Sequence, residues 1–159
     1  MHSIPKEIAK HLRDVYFGGN WTSVNIKETL SGINWEQAVT KINSLNTIAG
    51  LVFHTNYYVN AILKVFKGLP LDAHDRFSFD LPPITSADDW ENLVNKSLSA
   101  AEELAMLVEQ LPFERLGENF AEEKYGSYNR NLHGLIEHTH YHLGQIVIIK
   151  KLLEEGNIK

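Results

Sequence analysis

Three histidines in two separate apolar segments are the residues whose type and spacing suit metal coordination in this chain. His138 and His142 stand four residues apart. On a helix their side chains would rise from one face, with Cβ atoms about 5–6 Å apart, close enough for both imidazoles to bind one metal ion. A third histidine, His54, stands alone in another apolar segment. Three neutral imidazoles with an open fourth position form catalytic zinc sites, so these residues predict a three-histidine metal site.

Helical geometry divides the histidine-rich run near the C-terminus into two groups. At about 100° per residue, His138, His142 and Gln145 share one narrow sector, which faces inward. Glu137 and His140 fall on nearly the opposite side of the helix. These two residues therefore cannot join a site formed by the inner pair, whereas Gln145 could orient one of its ligands.

Two interpretations of the inner pair remain open at this point. Burying two imidazoles side by side costs free energy unless each finds a polar partner. A shared cation would supply both partners at once, and separate hydrogen bonds would supply them one by one. His54 borders the apolar stripe of its own segment, where a lone histidine is more often a hydrogen-bonded core residue than a ligand.

Other catalytic patterns are absent from the sequence. A carboxylate di-iron bundle needs a second Glu-x-x-His motif beside that of Glu137 and His140, and the chain has none. The His-Glu-x-x-His motif of zinc proteases and the nucleophile elbow of hydrolases are also missing. The chain contains no cysteine, which excludes disulfides and thiolate ligands.

The composition is that of an ordinary globular domain. With 159 residues, 43% of them hydrophobic and 22% charged, the chain is expected to form a single domain over 1–159. Its net charge is −5 and it has no basic run, which argues against binding to nucleic acid. No segment is apolar enough to span a membrane, and the first residues lack a signal-peptide core. We therefore expect a soluble, cytoplasmic protein.

Four long segments carry the apolar periodicity of amphipathic helices. They span approximately 3–18, 46–67, 86–111 and 127–155, and each is bounded by residues that favour helix ends. Asn34 to Gln37 predicts a short capped helix. The stretch 70–85 reads as a loop crossing the bundle, and 112–126 as a loop or short helix. Helices of this length with uneven connections predict an all-α fold, a four-helix bundle with one or two long crossovers.

The two segments that contain His54, His138 and His142 resemble motifs of a known family. The family has an apolar run that precedes a histidine, and the run from Asn46 to His54 is similar to it. The run from His138 to Ile146 resembles the closing motif of the family, His-x-x-x-His-x-Gly-Gln-Ile. With chain length and helix order, they make the chain similar to the DinB/YfiT-like superfamily of small metal-dependent enzymes. The resemblance covers nearly the whole chain, although only the two histidine segments are specific. It implies a divalent metal, often nickel or zinc, bound by His54, His138 and His142, with water completing the site.

The resemblance also implies a range of activities. Relatives in this superfamily transfer or rearrange groups with a low-molecular-weight thiol such as bacillithiol or mycothiol. In the mycothiol-dependent isomerase branch one ligand from the fourth helix is a glutamate, whereas here both are histidines, so the chain more closely resembles the bacillithiol-transferase branch. The implied function is a metal-dependent thiol S-transferase or hydrolase acting on small electrophilic substrates. The alternative is a non-enzymatic small-molecule-binding or metal-binding module with a structural metal. No catalytic acid or base is identified.

The resemblance implies a homodimer as well. The fourth helix agrees with this, since Ile136, Leu143 and Val147 lie far from the histidine sector and make the helix apolar nearly all round.

Overall fold

The fold is all-helical in the computed structural model, which describes residues 3–156. Six α-helices follow one another along the chain: α1 (Ile4–Phe17), α2 (Ile26–Leu30), α3 (Trp35–Val39), α4 (Ile48–Phe66), α5 (Ala87–Glu109) and α6 (Tyr128–Glu154). Short 3₁₀ helices lie at Asp75–Phe77, Phe113–Gly117 and Glu123–Tyr125. Over the same residues the only β-type pairing is an isolated bridge between Asn119 and Ser127. The all-α prediction is therefore confirmed.

The four long helices begin and end within about two residues of the predicted positions because their caps are local in sequence. The side chain of Thr47 accepts a hydrogen bond from the backbone N–H of Gly50 at 3.0 Å, which begins α4. Ser127 does the same for the N–H of Arg130 at 3.2 Å and begins α6. These two helices carry the three candidate ligands.

The short elements were predicted only in part. The capping box of α3 is present, with the Asn34 and Gln37 side chains each accepting from the other's backbone N–H. Helix α2 was not predicted, because its five residues are too few to show a periodic pattern. The two long connections do contain short 3₁₀ helices.

The long helices pack around one hydrophobic core. Helix α1 contacts α5 and α6, and α4 contacts the same two helices. The largest fully buried side chains come from all four: Leu12, Val15, Tyr16, Ile48, Leu51, Val52, Val59, Leu104, Val108, Leu132 and Ile146, with Ile26 from α2. No helix within residues 3–156 has both the length and the apolar character needed to cross a membrane.

Helix α6 is buried on more than the histidine side. Ile136 and Leu143 are 3% and 2% exposed and belong to the core of the same chain. Val147 is half-buried and also packs against that core. The apolar character of these residues is therefore explained within one chain and does not indicate a dimer surface. The apolar side chains that α6 does expose are Tyr141 and Ile148.

Candidate metal centre

The three predicted histidines meet at one point between α4 and α6. The Nε2 atom of His138 lies 3.1 Å from Nε2 of His54 and 3.0 Å from Nε2 of His142. Tetrahedral coordination with metal–nitrogen distances near 2.05 Å would hold such atoms about 3.3 Å apart. The three nitrogens thus need to move only a few tenths of an ångström to surround a single ion.

The outer nitrogen of His54 is held by a hydroxyl that can only accept. Ser78 donates its single hydroxyl hydrogen to the backbone oxygen of Asp75 at 2.7 Å. Its Oγ lies 3.0 Å from Nδ1 of His54, so that nitrogen must be the donor. A neutral imidazole with its proton on Nδ1 presents a lone pair at Nε2. The lone pair of His54 therefore points toward the other two histidines.

His142 is oriented in the same way from within its own helix. Its Nδ1 lies 2.7 Å from Oε1 of Gln145, an oxygen that only accepts. The proton of His142 is therefore on Nδ1, and Nε2 again presents a lone pair. Outer partners that fix the tautomer of a histidine are typical of metal ligands.

His138 shows that protein atoms alone do not satisfy this cluster. Its Nε2 faces the lone pairs of both His54 and His142, and one N–H could serve only one of them well. Its Nδ1 is buried and has no hydrogen-bond partner among residues 3–156. A cation at the centre would accept all three lone pairs at once, whereas a single N–H of His138 could be donated to only one of its two neighbours.

The surroundings keep all three imidazoles neutral. Burial lowers the pKa of His54, with the neighbouring His142 as a second cause. Burial also lowers the pKa of His142, although the hydrogen bond with Gln145 opposes this. The pKa of His138 falls to about 4, first through burial and then through His142 and His54. Neutral imidazole is the form that binds metals.

Aromatic rings form the walls of the cluster. Phe79 stacks on His54 with ring centroids 4.0 Å apart and planes inclined by 13°. Tyr58 lies edge-on to His54 and His138, with ring centroids 5.1 and 5.0 Å from theirs. Tyr141 lies edge-on to His142, with centroids 4.9 Å apart. Because Phe79 is 44% and Tyr141 65% exposed, the cluster lies close to the protein surface.

Three residues of this site were missed by sequence reasoning, and all lie in the connection between α4 and α5. Ser78 orients His54, Phe79 covers it, and the carboxylate of Asp75 accepts a short hydrogen bond from the Tyr58 hydroxyl. Nothing in the spacing of residues 70–85 marks these positions, because an irregular segment has no period. The predicted role of Gln145 beside the ligands agrees with the hydrogen bond to His142.

The outer group of the histidine-rich run lies elsewhere, as predicted. His140 faces His11 of α1, with ring centroids 6.1 Å apart, and Glu137 is exposed. Within residues 3–156, His54, His138 and His142 form the only group of three or more histidine or carboxylate side chains close enough to share an ion. Their candidate ligand atoms all lie within 4.8 Å of one another.

The fold and the site together define an all-helical protein with a largely buried three-histidine cluster that could hold a metal ion. Comparisons of the chain with family models, with curated proteins and with solved structures find no match. The geometry of the cluster and the two histidine motifs are therefore the features that bear on function.

Proposed function

We propose that the chain is a metal-dependent enzyme of the DinB/YfiT-like superfamily, a thiol S-transferase or hydrolase acting on small electrophilic substrates. In this proposal His54, His138 and His142 hold one divalent ion, nickel or zinc. The observation that carries it is the convergence of three Nε2 atoms while hydrogen bonds occupy Nδ1 of His54 and of His142. The helix order and the contacts of α1 and α4 with α5 and α6 support the related four-helix bundle with long crossovers.

The donor set favours a catalytic site over a structural one. Structural zinc is normally enclosed by four protein ligands, whereas catalytic zinc keeps one position for water or substrate. The described part of the chain supplies three ligands at this cluster and no fourth histidine or carboxylate. A fourth position is thus left for a small molecule.

The residues of the chain would bind the metal ion, orient its ligands and shield the site from bulk water. A divalent ion, when bound, supplies the Lewis acidity that generates a nucleophile from a water or a low-molecular-weight thiol near neutral pH. Ser78 and Gln145 keep the ligand lone pairs aimed at the centre. Phe79 and Tyr58 cover His54 and reduce the access of bulk water on that side.

Metal content is the first test of this proposal. Elemental analysis of purified wild-type protein, grown separately with zinc and with nickel, should find about one metal ion per chain. His142→Ala should lose it. His140→Ala is the matched control, because it removes a neighbouring histidine from the other side of the same helix and should retain the metal. Absence of stoichiometric metal from the wild type in every medium would refute the proposal.

A turnover assay distinguishes the proposed enzyme from a non-enzymatic binding module. Metal-loaded wild-type protein would be incubated with a thiol and a panel of electrophilic acceptors, and conjugates would be measured by mass spectrometry. Conjugation that requires the metal supports the transferase. If the protein retains its metal but turns over neither thiol-conjugation nor hydrolysis substrates, the result supports a non-enzymatic binding module. The homodimer that the family resemblance implies is tested by light scattering of the same samples.

A further inference from the structure

A cavity of about 340 Å³ adjoins the histidine cluster on one side. It lies between the first turns of α6 and the 3₁₀ helix Glu123–Tyr125. His138 is the one candidate ligand in its lining, where it is joined by Tyr58. A molecule in this cavity would therefore reach the cluster from the side of His138.

The charged side chains that line this cavity are both cationic. Lys124 is already engaged, because its Nζ lies 3.1 Å from a carboxylate oxygen of Glu122 and 4.9 Å from the ring centroid of Tyr125. Arg130 is exposed, and its guanidinium has no hydrogen-bond or ion-pair partner among residues 3–156. An unpaired guanidinium matches the planar, two-oxygen geometry of a carboxylate or phosphate.

The turn before α6 leaves room for Arg130 to lie over it. Gly126 has a φ of +74°, and a Cβ there would come within 3.0 Å of Cδ and 3.5 Å of Nη1 of Arg130. The side-chain amide of Asn131 donates to the backbone oxygens of Tyr125 and Ser127 at 2.9 and 2.8 Å, which ties the turn to the helix. The guanidinium is thereby placed beside the cavity by a defined piece of backbone.

The spacing along α6 indicates the length of the ligand. Arg130 and His138 are eight residues apart, which corresponds to about 12 Å along the helix axis. Gly134 lies midway between them and lines the same cavity, and a Cβ there would meet no heavy atom within 4 Å. The cavity is therefore open beside Gly134.

We infer that this cavity binds the anionic group, a carboxylate or a phosphate, of the substrate, with Arg130 as its principal partner. This inference rests on the proposed function of the histidine cluster and narrows its substrate class. The substrate would be an elongated small molecule that carries the anion at one end and the reacting group about two helical turns away.

Three probes that share a six-carbon chain and differ in their head group test the inference: hexanoate, hexyl phosphate and hexanol. Each would be titrated into the purified full-length chain, and again after metal removal, while the backbone amide signals of Asn131 and Gly134 are followed by NMR. At least one anion should shift these signals saturably and hexanol should not, and the stronger anion identifies the head group. Arg130→Gln should weaken that binding about tenfold, since it removes a charge-assisted hydrogen bond. Gly134→Leu should block it by filling the cavity.

Arg76→Gln is the matched control, because it removes the same charge from a residue outside the cavity lining. Equal losses in Arg76→Gln and Arg130→Gln, or equal binding of hexanol and the anions, would overturn the inference. Absence of saturable shifts for both anions would overturn it too, even where the protein holds its metal. Conversely, anion binding that depends on Arg130 in a chain that takes up no metal in any growth medium would uphold the anion site and count against the metal proposal alone.

Discussion

Nδ1 of His142 lies 2.7 Å from Oε1 of Gln145, one turn further along the same helix. The pair is local in sequence, yet it directs the lone pair of His142 toward Nε2 of His138, the atom that Nε2 of His54 also approaches from α4. Ser78 performs the same task for His54 from an irregular segment. Two of the three candidate ligands thus have their tautomer set by a neighbour that can only accept a hydrogen bond there.

Replacing Gln145 should weaken metal binding without removing a ligand. Gln145→Leu leaves Nδ1 of His142 without its acceptor, and loss of such an outer partner typically lowers metal affinity by about 10–100-fold. Competition with a chromophoric chelator would measure this. Gln110→Leu, at the exposed end of α5, is the matched control and should bind as the wild type does. Equal affinities in all three proteins would show that Gln145 does not orient the ligand.

The stability of the metal-free protein should fall as the pH drops below about 6.5. The pKa values of His54, His138 and His142 are all lowered in the folded chain, that of His138 to about 4. The unfolded chain, with histidine pKa values near 6.5, therefore binds more protons between about pH 4 and 6.5, and its population rises as the pH falls through this window. Above pH 6.5 this contribution to stability is fully present.

Urea denaturation at a series of pH values measures this effect. His138→Leu should flatten the dependence between about pH 4 and 6.5, since it removes a histidine whose pKa is lowered to about 4 in the folded chain. The metal-loaded protein should lose stability more steeply than the metal-free form, because protons also compete with the ion for the ligands. Parallel curves for the two forms would argue against linkage through these histidines.

The core should be sensitive to truncation at α5. Leu104 is completely buried, so Leu104→Ala should lower the free energy of unfolding by about 2–5 kcal/mol through lost burial and a residual cavity. Met106, two residues away and 46% exposed, is the control, and Met106→Ala should cost at most about 0.5 kcal/mol. Equilibrium denaturation in urea checks both. A similar cost at the two positions would contradict the assigned core.

The start of α4 should depend on its cap. Thr47→Ala removes the oxygen that accepts from the N–H of Gly50 and should cost about 1 kcal/mol, whereas Thr47→Ser keeps the hydroxyl and should cost less. His54 lies almost two turns inside the helix, so metal affinity should change less than twofold in either variant. Thermal denaturation and chelator competition test the two expectations, and a large loss of affinity would show that fraying reaches the site.

Local signals account for most of what was predicted correctly about this chain. Apolar periodicity and local end signals such as Ser86 at the start of α5 placed the four long helices, because both act between residues within one or two turns. Where the pattern was short or irregular, the prediction failed. Helix α2 was not found, because five residues are too few to show a periodic pattern.

The all-helical class follows from the pattern of apolar residues along the chain. The order of residues also separates His138 and His142 from Glu137 and His140, since helical geometry alone sets which residues share a face. Packing of α4 against α6 was needed to bring Nε2 of His54, 84 residues before His138, within 3.1 Å of Nε2 of His138. The tertiary structure also placed residues of the connection between α4 and α5 around the cluster. The guanidinium of Arg130, on the cavity that adjoins the cluster, was left without a hydrogen-bond or ion-pair partner among residues 3–156. These contacts depend on packing between helices and on the course of irregular segments, which no local periodicity encodes.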